Sequence, residues 1–348
     1  MGQHARRVIS TWFYEQGYAE GGTYHQIRGD SASEAFRDVY RRCVAVFFAS
    51  ARRANADAEL RLYVNREWRN DASTVAAETS ALLARLGVEI EVLNYAFAPP
   101  ASWSDAWRNQ FFVFDVLAAL SRRYSDLDCL ICLDSDVVWT NNASTETMWE
   151  EVAQQGCVTY QVDYPFDEEI NGISRQELSR IAASFSSGVR LDEMIGYSGG
   201  EYIALRRDVC LRVVDTARHW WPEVMRRHET SEIVPTEEAH FLSCIYALLD
   251  LQVGTGDAYI KRIWTQVRQY RNVQVDDLDL ALWHVPAEKR FGLLRLYRDL
   301  MARPGESWVD LPQELFVQTV GAYLGIPRSS VRKGTLDLLL AVRSRIYT

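Results

Sequence analysis

Apolar positions in the first half of the chain fall into short runs with a period of two, separated by longer stretches with a helical period. A β-rich run over 7–14 leads through a loop bearing Gly17, Gly21 and Gly22 to a helix opened by Ser31 with Glu34 three positions on, a capping-box pair. Positions 60–64 alternate as a second strand, 73–86 carries a helical stripe closed by Gly87, and 88–93 reads as a third strand. After Pro99 and Pro100 the spacing predicts an amphipathic helix over 105–124, a buried strand over 129–133 ending in Asp134-Ser135-Asp136, and a helix over 145–155. Repeated strand–helix alternation predicts an α/β fold, a mainly parallel sheet sandwiched between helices.

The second half is less regular. A strand over 158–162 is followed by a stretch of roughly 35 residues before the next clear strand at 201–205, an insertion suited to a substrate-facing lobe. Ser174 and Glu177 form a further capping-box pair inside it. Helices are expected over 209–228 and 237–249, then strand-like pieces, then helices over 312–323 and 335–346. No repeat and no linker rich in Pro, Gly or Ser divides the chain, so one domain with a helical C-terminal appendage is the simplest reading.

Composition narrows the function classes. The 348 residues carry 38 Lys and Arg against 47 Asp and Glu, a net charge of −9, which argues against nucleic acid as a partner. Hydrophobic residues at 48% and charged residues at 24% describe a folded globular chain. No apolar run approaches the ~18 to 20 residues of a membrane helix. The N-terminus lacks the apolar core of a secretory signal, so the cytoplasm is the expected location. The six cysteines are too sparse for a disulfide framework. Cys129 and Cys132, three apart on a strand, face opposite sides and read as buried thiols, not as ligands of one metal.

The most informative stretch is LICLDSDVVWT. Two carboxylates two positions apart on a strand share a face, and at the carboxyl end of a buried parallel strand they enter the crevice where open α/β sheets bind ligands. A hard cation such as Mn²⁺ or Mg²⁺ takes such oxygens together with substrate phosphates. Asp134 and Asp136 thus point to a phosphorylated substrate, against the alternative of a solvated strand end with helix-capping aspartates.

Over roughly residues 7–292 the chain resembles the metal-dependent glycosyltransferases of the GT-A fold, especially the glycogenin-like and galactosyltransferase-like family 8 and its relatives. The resemblance lies in the order of its pieces: three β/α units, the helix WRNQFFVFDVLAAL, LICLDSDVVWT as the DxD motif, GYSGGEYIAL, PTEEAHFLS and LWHVPAEKRFG. It implies a Rossmann-like GT-A catalytic domain over 1–298, with a nucleotide-binding half (7–140) and an acceptor and donor-sugar half (141–298), followed by the helical appendage 299–348.

The same resemblance implies that Asp134, Asp136 and His284 hold Mn²⁺ (or Mg²⁺) against a nucleotide diphosphate and that Lys289 meets the phosphate. The usual His-x-x-Gly-x-x-Lys is here HVPAEK, with Pro286 and Ala287 and a shorter step to the lysine. Thr11, Tyr14 and Ser135 fall where the nucleotide is seated, the first two having strand-end packing as their alternative. Arg108 and Asn109 fall where nucleotide or donor sugar is contacted, with an exposed helix start as the alternative. Gly199 and Gly200 would let backbone approach a sugar whose hydroxyls Glu201 binds, although a glycine turn before a strand needs no ligand. Glu237 and Glu238 take the place facing the reacting sugar as catalytic residues; helix-dipole stabilisation is the alternative. Trp283 fits sugar stacking but fits core packing better. Arg328, Arg332, Lys333, Arg343 and Arg345 read as a solvated helix face or as a contact with an anionic acceptor, a membrane surface or a partner, and the C-terminal helices could join two copies of the chain.

The leading expectation is transfer of a sugar from a nucleotide-sugar donor, with UDP favoured by resemblance, to an acceptor the sequence does not name. The rival is a phosphohydrolase of the haloacid dehalogenase type, whose nucleophile strand shares the hydrophobic-Asp-x-Asp pattern and for which Asp276 and Asp277 would be the later metal acids. Three β/α units precede the motif here, whereas that superfamily places it on the first core strand. A third reading is a catalytically dead binding module on the same fold, against which the paired acids and His284 weigh.

Overall fold

The computed structural model describes residues 5–17, 27, 29–103, 107–140, 143–186, 194–266 and 270–346, the last four of these by backbone alone. In chain order the elements are β1 (Arg7–Phe13), α1 (Glu34–Ala54), β2 (Glu59–Val64), α2 (Thr74–Arg85), β3 (Val88–Val92), α3 (Phe112–Arg123), β4 (Cys129–Leu133), β5 (Val137–Trp139), α4 (Ser144–Gln155) and β6 (Cys157–Gln161). There follow β7 (Glu169–Ile170), β8 (Ile173–Ser174), α5 (Arg175–Phe185), β9 (Ser198–Arg206), α6 (Arg207–Glu229), α7 (Glu238–Leu248), β10 (Ile260–Arg262), β11 (Leu282–His284), α8 (Gly292–Ala302), α9 (Gln313–Leu324) and α10 (Val331–Ile346).

A six-stranded sheet in the order β3-β2-β1-β4-β9-β6 forms the centre. β1 to β4 are mutually parallel, and β9 runs antiparallel between β4 and β6. All five residues of β4 are buried, as a strand covered on both faces requires. The chain moves outward from β1 to β3 and then returns to lay β4 on the other side of β1, so the carboxyl ends of β1 and β4 part at a topological switch point. Helices α1 and α2 pack together, as do α3 and α6, and the reversal of winding puts the two pairs on opposite faces. This is the expected Rossmann-like, mainly parallel sheet with a helical C-terminal region.

Local details differ from the sequence reading for identifiable reasons. Ser33, not Ser31, caps α1: its side chain accepts the Phe36 amide while its own N–H binds the Asp30 carbonyl. The helix expected over 105–124 begins with a 3-10 turn, Arg108–Phe111, which holds both Arg108 and Asn109; Asp105, like Gly21 and Gly22, lies outside the described residues. In the insertion, β7 and β8 form a hairpin turning at Asn171 and Gly172, both with positive φ, which is the Asn-Gly turn chemistry of a two-residue hairpin. The Ser174–Glu177 capping box forms as expected.

β5 leaves the main sheet directly after Asp136 and joins a small sheet in the order β10-β11-β5. DSDVVWT is therefore an elbow between two sheets, and the antiparallel register sets His284 opposite Val137. At the C-terminal end α8 packs on α1 and α9 on α8 over a core containing Trp283 and Trp308. The six cysteines are buried and unpaired. No helix among the described residues is long and apolar enough to cross a membrane.

Candidate metal centre and active-site cleft

Three backbone bonds fix the two aspartates, one within the elbow and one each to β9 and to the loop after β11. Asp134 N–H binds the Glu201 carbonyl at 3.2 Å, Val137 N–H closes the turn on the Asp134 carbonyl at 3.3 Å, and Val285 N–H binds the Asp136 carbonyl at 3.0 Å. The two-residue spacing therefore works through a turn beyond β4, not through the shared face of a strand. The last of these bonds ties the loop after β11 to the turn, and His284 comes with it. Asp134, Asp136 and His284 each offer an atom such that all three lie within 4.8 Å of one another.

His284 Nε2 lies 3.2 Å from Asp136 Oδ2 and 4.0 Å from Asp134 Oδ2. Both ring nitrogens are buried, and neither meets a partner at hydrogen-bonding angles. A buried imidazole nitrogen without a hydrogen-bond partner, beside two carboxylates, fits a divalent cation of the Mn²⁺ or Mg²⁺ type. Behind the ring, Nδ1 is 3.3 Å from Glu201 Oε1. A carboxylate on the far nitrogen is the arrangement that orients a ligating histidine and leaves the near nitrogen for the metal.

Glu201 is itself clamped by Arg262, which donates from Nε at 2.7 Å and from Nη2 at 2.8 Å. Gly199 makes room for this carboxylate, since a Cβ there would stand 2.4 Å from Glu201 Oε2. Gly199 does not line the cleft; Gly200 and Glu201 do. Burial opposes ionisation of Glu201, but Arg262 and His284 outweigh it and hold the group well below the usual carboxylate range. Burial likewise works against Asp136, and Lys289 and His284 reverse the balance. Lys289, buried itself, donates directly to Asp136 Oδ2. Burial and then the neighbouring Asp136 push Asp134 up to about 6. Burial disfavours a charged His284 ring, yet Asp136 and Glu201 lift it to about 9, so a cation entering here must displace a proton.

The opposite wall is built by the start of α7. Glu237 precedes the helix and Glu238 opens it, as expected, but the Glu237 side chain caps nothing. It accepts instead from the Tyr197 hydroxyl and, at 2.6 Å, from the Asn171 amide at the tip of the β7–β8 hairpin. Burial lifts Glu237 to about 7. Burial, then Glu237 and Asp134, raise Glu238 well above the ordinary range. Glu238 Oε2 has no hydrogen-bond partner, and Gly200 provides the space for this carboxyl, because a Cβ at position 200 would lie 2.4 Å from Glu238 Oε1. Tyr197 lies within GYSGGEYIAL but was not singled out in it, and for Asn171 the Asn171-Gly172 pair was the one signal available.

Both walls face a single cleft of about 1390 Å³, which Tyr14, Asn109, Ser135 and Lys289 also line. Thr11 does not reach it: the residue is buried beneath, its hydroxyl without a partner. Arg108 does not line it either, and its carbonyl accepts from the Tyr95 hydroxyl. Tyr14 stands in an aromatic cluster, 5.3 Å from the Tyr95 ring centre and 5.6 Å from that of Phe112. The amide oxygen of Asn109 is buried without a partner, and Trp107 and Gln110, unnoticed in the sequence, flank it along the cleft.

The HVPAEK variation has a structural account. Pro286–Glu288 is a 3-10 turn, and Glu288 is buried, accepting from Thr265, from Gly292 N–H at 2.8 Å and from Lys333 Nζ at 2.8 Å. Lys333 is therefore not part of a solvated basic face; with Asp337 at 2.7 Å it anchors α10 beside the segment that carries Lys289. The side chains of Arg343 and Arg345 lie outside the described residues. Trp283 is core, its N–H bound to the Asp277 carbonyl, and Asp277 pairs with Lys261 at 2.8 Å away from the cleft.

No protein-family model matches the chain, and no curated protein matches it. Among solved structures it is similar to the galactosyltransferase LgtC in complex with donor and acceptor sugar analogs, at 12% identity over 92% of this chain and 97% of that one, with a TM-score of 0.47. It is also similar to mouse xyloside xylosyltransferase 1 in its apo form, at 12% identity over 80% of this chain and 97% of that one, with a TM-score of 0.45.

Proposed function

We propose that the chain is a metal-dependent GT-A glycosyltransferase that moves a sugar from a nucleotide diphosphate donor, UDP-sugar by first choice, to an acceptor. Residues 1–298 would be the catalytic unit and 299–348 its appendage. The observation that carries the reading is the convergence of Asp134, Asp136 and a histidine lacking hydrogen-bond partners at the switch point of a mainly parallel sheet. These three residues would hold Mn²⁺ or Mg²⁺, which when bound supplies positive charge to a departing diphosphate. Glu201 fixes the imidazole, and Lys289 adds a second cation beside the phosphates. Tyr14, Asn109 and Ser135 border the nucleotide, and Gly200 the sugar. Glu238 faces the reacting carbon across the cleft, with Glu237 held beside it by Asn171 and Tyr197.

The phosphohydrolase reading is not favoured. Its nucleophile strand would be the first of the sheet, whereas β4 is the fourth in chain order, and Asp277 lies outside the cleft. The test is a thermal-shift panel of nucleotides with and without Mn²⁺. A ligand at about 100 times its Kd stabilises by roughly 2.7 kcal/mol, so UDP with Mn²⁺ should raise the Tm clearly while UDP with EDTA does so weakly. Slow UDP release from a UDP-sugar without acceptor should accompany it. Metal-independent behaviour throughout the panel, or turnover of simple phosphate esters lost in Asp134→Asn, would overturn the reading.

A further inference from the structure

The cleft extends past Lys289 between α1 and α8, where Arg42 and Arg298 line it and Leu340 of α10 borders it. Most arginines around this end have counter-ions. Arg41 pairs with Glu34 and with Asp38 at 2.8 Å, Arg37 with Glu34 at 3.1 Å and Glu15 at 3.4 Å, Arg295 with Asp337 at 3.0 Å, and Arg303 with Asp299. The side chains of Arg42 and Arg298 make no hydrogen bond and no ion pair with any described residue, and Arg42 Nε is fully buried without a partner.

The acid nearest in charge to Arg42 is Asp38, and that carboxylate is already engaged by Arg41 and by the Ser73 hydroxyl at 2.7 Å. Burial disfavours the charged guanidinium of Arg42, and Arg298, close enough to be felt, works in the same direction. In a chain whose acids outnumber its bases by 47 to 38, the buried, unpartnered guanidinium nitrogen of Arg42, with a second arginine beside it and no anion, is a structural cost that a ligand anion would remove. Guanidinium groups match phosphate oxygens in geometry as well as in charge.

We infer that Arg42 and Arg298 form an anion subsite for a phosphate group at the α1–α8 end of the cleft. The placement rests on the nucleotide-sugar reading only for the origin of that phosphate, which is either the diphosphate of the donor or a phosphate borne by the acceptor. Arg42 and Arg298 share the cleft lining with Arg262 and Lys289, which Glu201 and Asp136 balance, and the ligand balances the pair that the protein leaves without an acid.

The experiment titrates inorganic phosphate into the full chain in EDTA, without nucleotide, and compares wild type with Arg42→Gln and Arg298→Gln by calorimetry. Wild-type binding should be salt-sensitive and fall at least about tenfold in each variant. Arg298 is exposed, so its variant keeps the fold even if Arg42→Gln is destabilised. A second arm titrates UDP with Mn²⁺: UDP weakened about tenfold or more in the variants assigns the subsite to the donor. Unchanged UDP, with phosphate still binding to the UDP–Mn²⁺ complex of the wild type alone, assigns it to the acceptor. Wild-type protein that takes up no phosphate in either arm, or variants that bind it as well as wild type, overturns the subsite. If phosphate binds through the two arginines while UDP shows no metal dependence, the glycosyltransferase reading fails and the subsite stands.

Discussion

Two groups of acids face each other across the cleft, and burial acts on both in the same direction. On the β4–β11 side Asp136 and Glu201 are nonetheless held well below the usual carboxylate range, because Lys289, His284 and Arg262 stand against them. On the α7 side Glu237 and Glu238 are raised: at Glu237 burial outweighs Arg262 and the donors from Tyr197 and Asn171, and at Glu238 the neighbouring Glu237 and Asp134 add to burial. Burial alone thus does not decide the state of a carboxyl group here; the balance of burial, cations and neighbouring acids does. Asp136 and Glu201 stay ionised on the wall suited to a metal, where Asp134 is raised to about 6, while the α7 wall retains a proton at a pH where exposed glutamates have lost theirs. A proton held opposite a metal site is what a group needs if it is to exchange protons or charge with a reacting centre.

The contrast breaks most completely at Asp136. Asp136→Asn removes the charge shared by Lys289, His284 and the cation while keeping the size. It leaves a buried ammonium facing an amide, so metal-dependent UDP stabilisation should vanish and the Tm should fall. Calorimetric titration of Mn²⁺ into wild type and variant reads the loss directly. Retention of wild-type metal affinity would mean that the cation is held elsewhere.

On the other wall Glu238→Gln should leave UDP affinity with Mn²⁺ intact and lower turnover by about 10² to 10³. Its carboxyl faces the cleft with one oxygen unpartnered, so the substitution strands no donor. A proportionate loss of UDP binding would show that the residue binds the donor instead.

Glu201→Gln tests whether the paired wall works as a unit. The change weakens the clamp on Arg262 and the hold on His284 Nδ1 without touching the three candidate ligands, so Mn²⁺ affinity should fall by about 10- to 100-fold and not vanish. An unchanged affinity would reduce the Glu201–Arg262 pair to a packing feature.

Much of this was legible in the chain before any coordinates. The period of the apolar runs predicts the parallel strands, because interior strands such as CLICL and amphipathic helices leave plain patterns. Asp134, Asp136 and His284 were approached by motif and resemblance, and the fold does bring them together. What the chain concealed is mostly reciprocal. Gly199 and Gly200 were read as room for a sugar, and they are also room for the carboxylates of Glu201 and Glu238, a fact of packing that no linear spacing encodes. Lys333 looked like one charge in a basic tail because its partner, Glu288, lies 45 positions away. Arg262 and Asn171 sit on segments without motifs, Tyr197 stands inside GYSGGEYIAL without marking itself, and all three acquire their roles from the acids they meet. The elbow at Asp134–Asp136 was mistaken for a strand face because an apolar run continues on both sides of it.

The finest test of the two walls is the slope of stability with pH. Glu237 has a folded value of about 7 against an ordinary 4.5, so between these limits the folded state binds more protons than the unfolded one. Stability from this group therefore falls as pH rises from about 4.5 to 7 and is constant above, a total of up to about 3 kcal/mol. Glu201 and Asp136 act oppositely: their depressed values make a contribution present at neutral pH that is lost as pH falls through the acid range. Glu237→Gln removes the first effect and leaves the second. Glu238 also loses its like-charged neighbour, so the variant should gain stability relative to wild type progressively from pH 5 to pH 8, in urea unfolding measured at fixed ionic strength without metal. The donors from Asn171 and Tyr197 favour the ionised carboxyl and are already contained in its folded value of about 7, whereas the difference between the protonated acid and an amide is the same at every pH and shifts the curve without creating the slope. Parallel stability–pH curves for the two proteins would show that Glu237 is ionised throughout, and the difference between the walls would then rest on Glu238 alone.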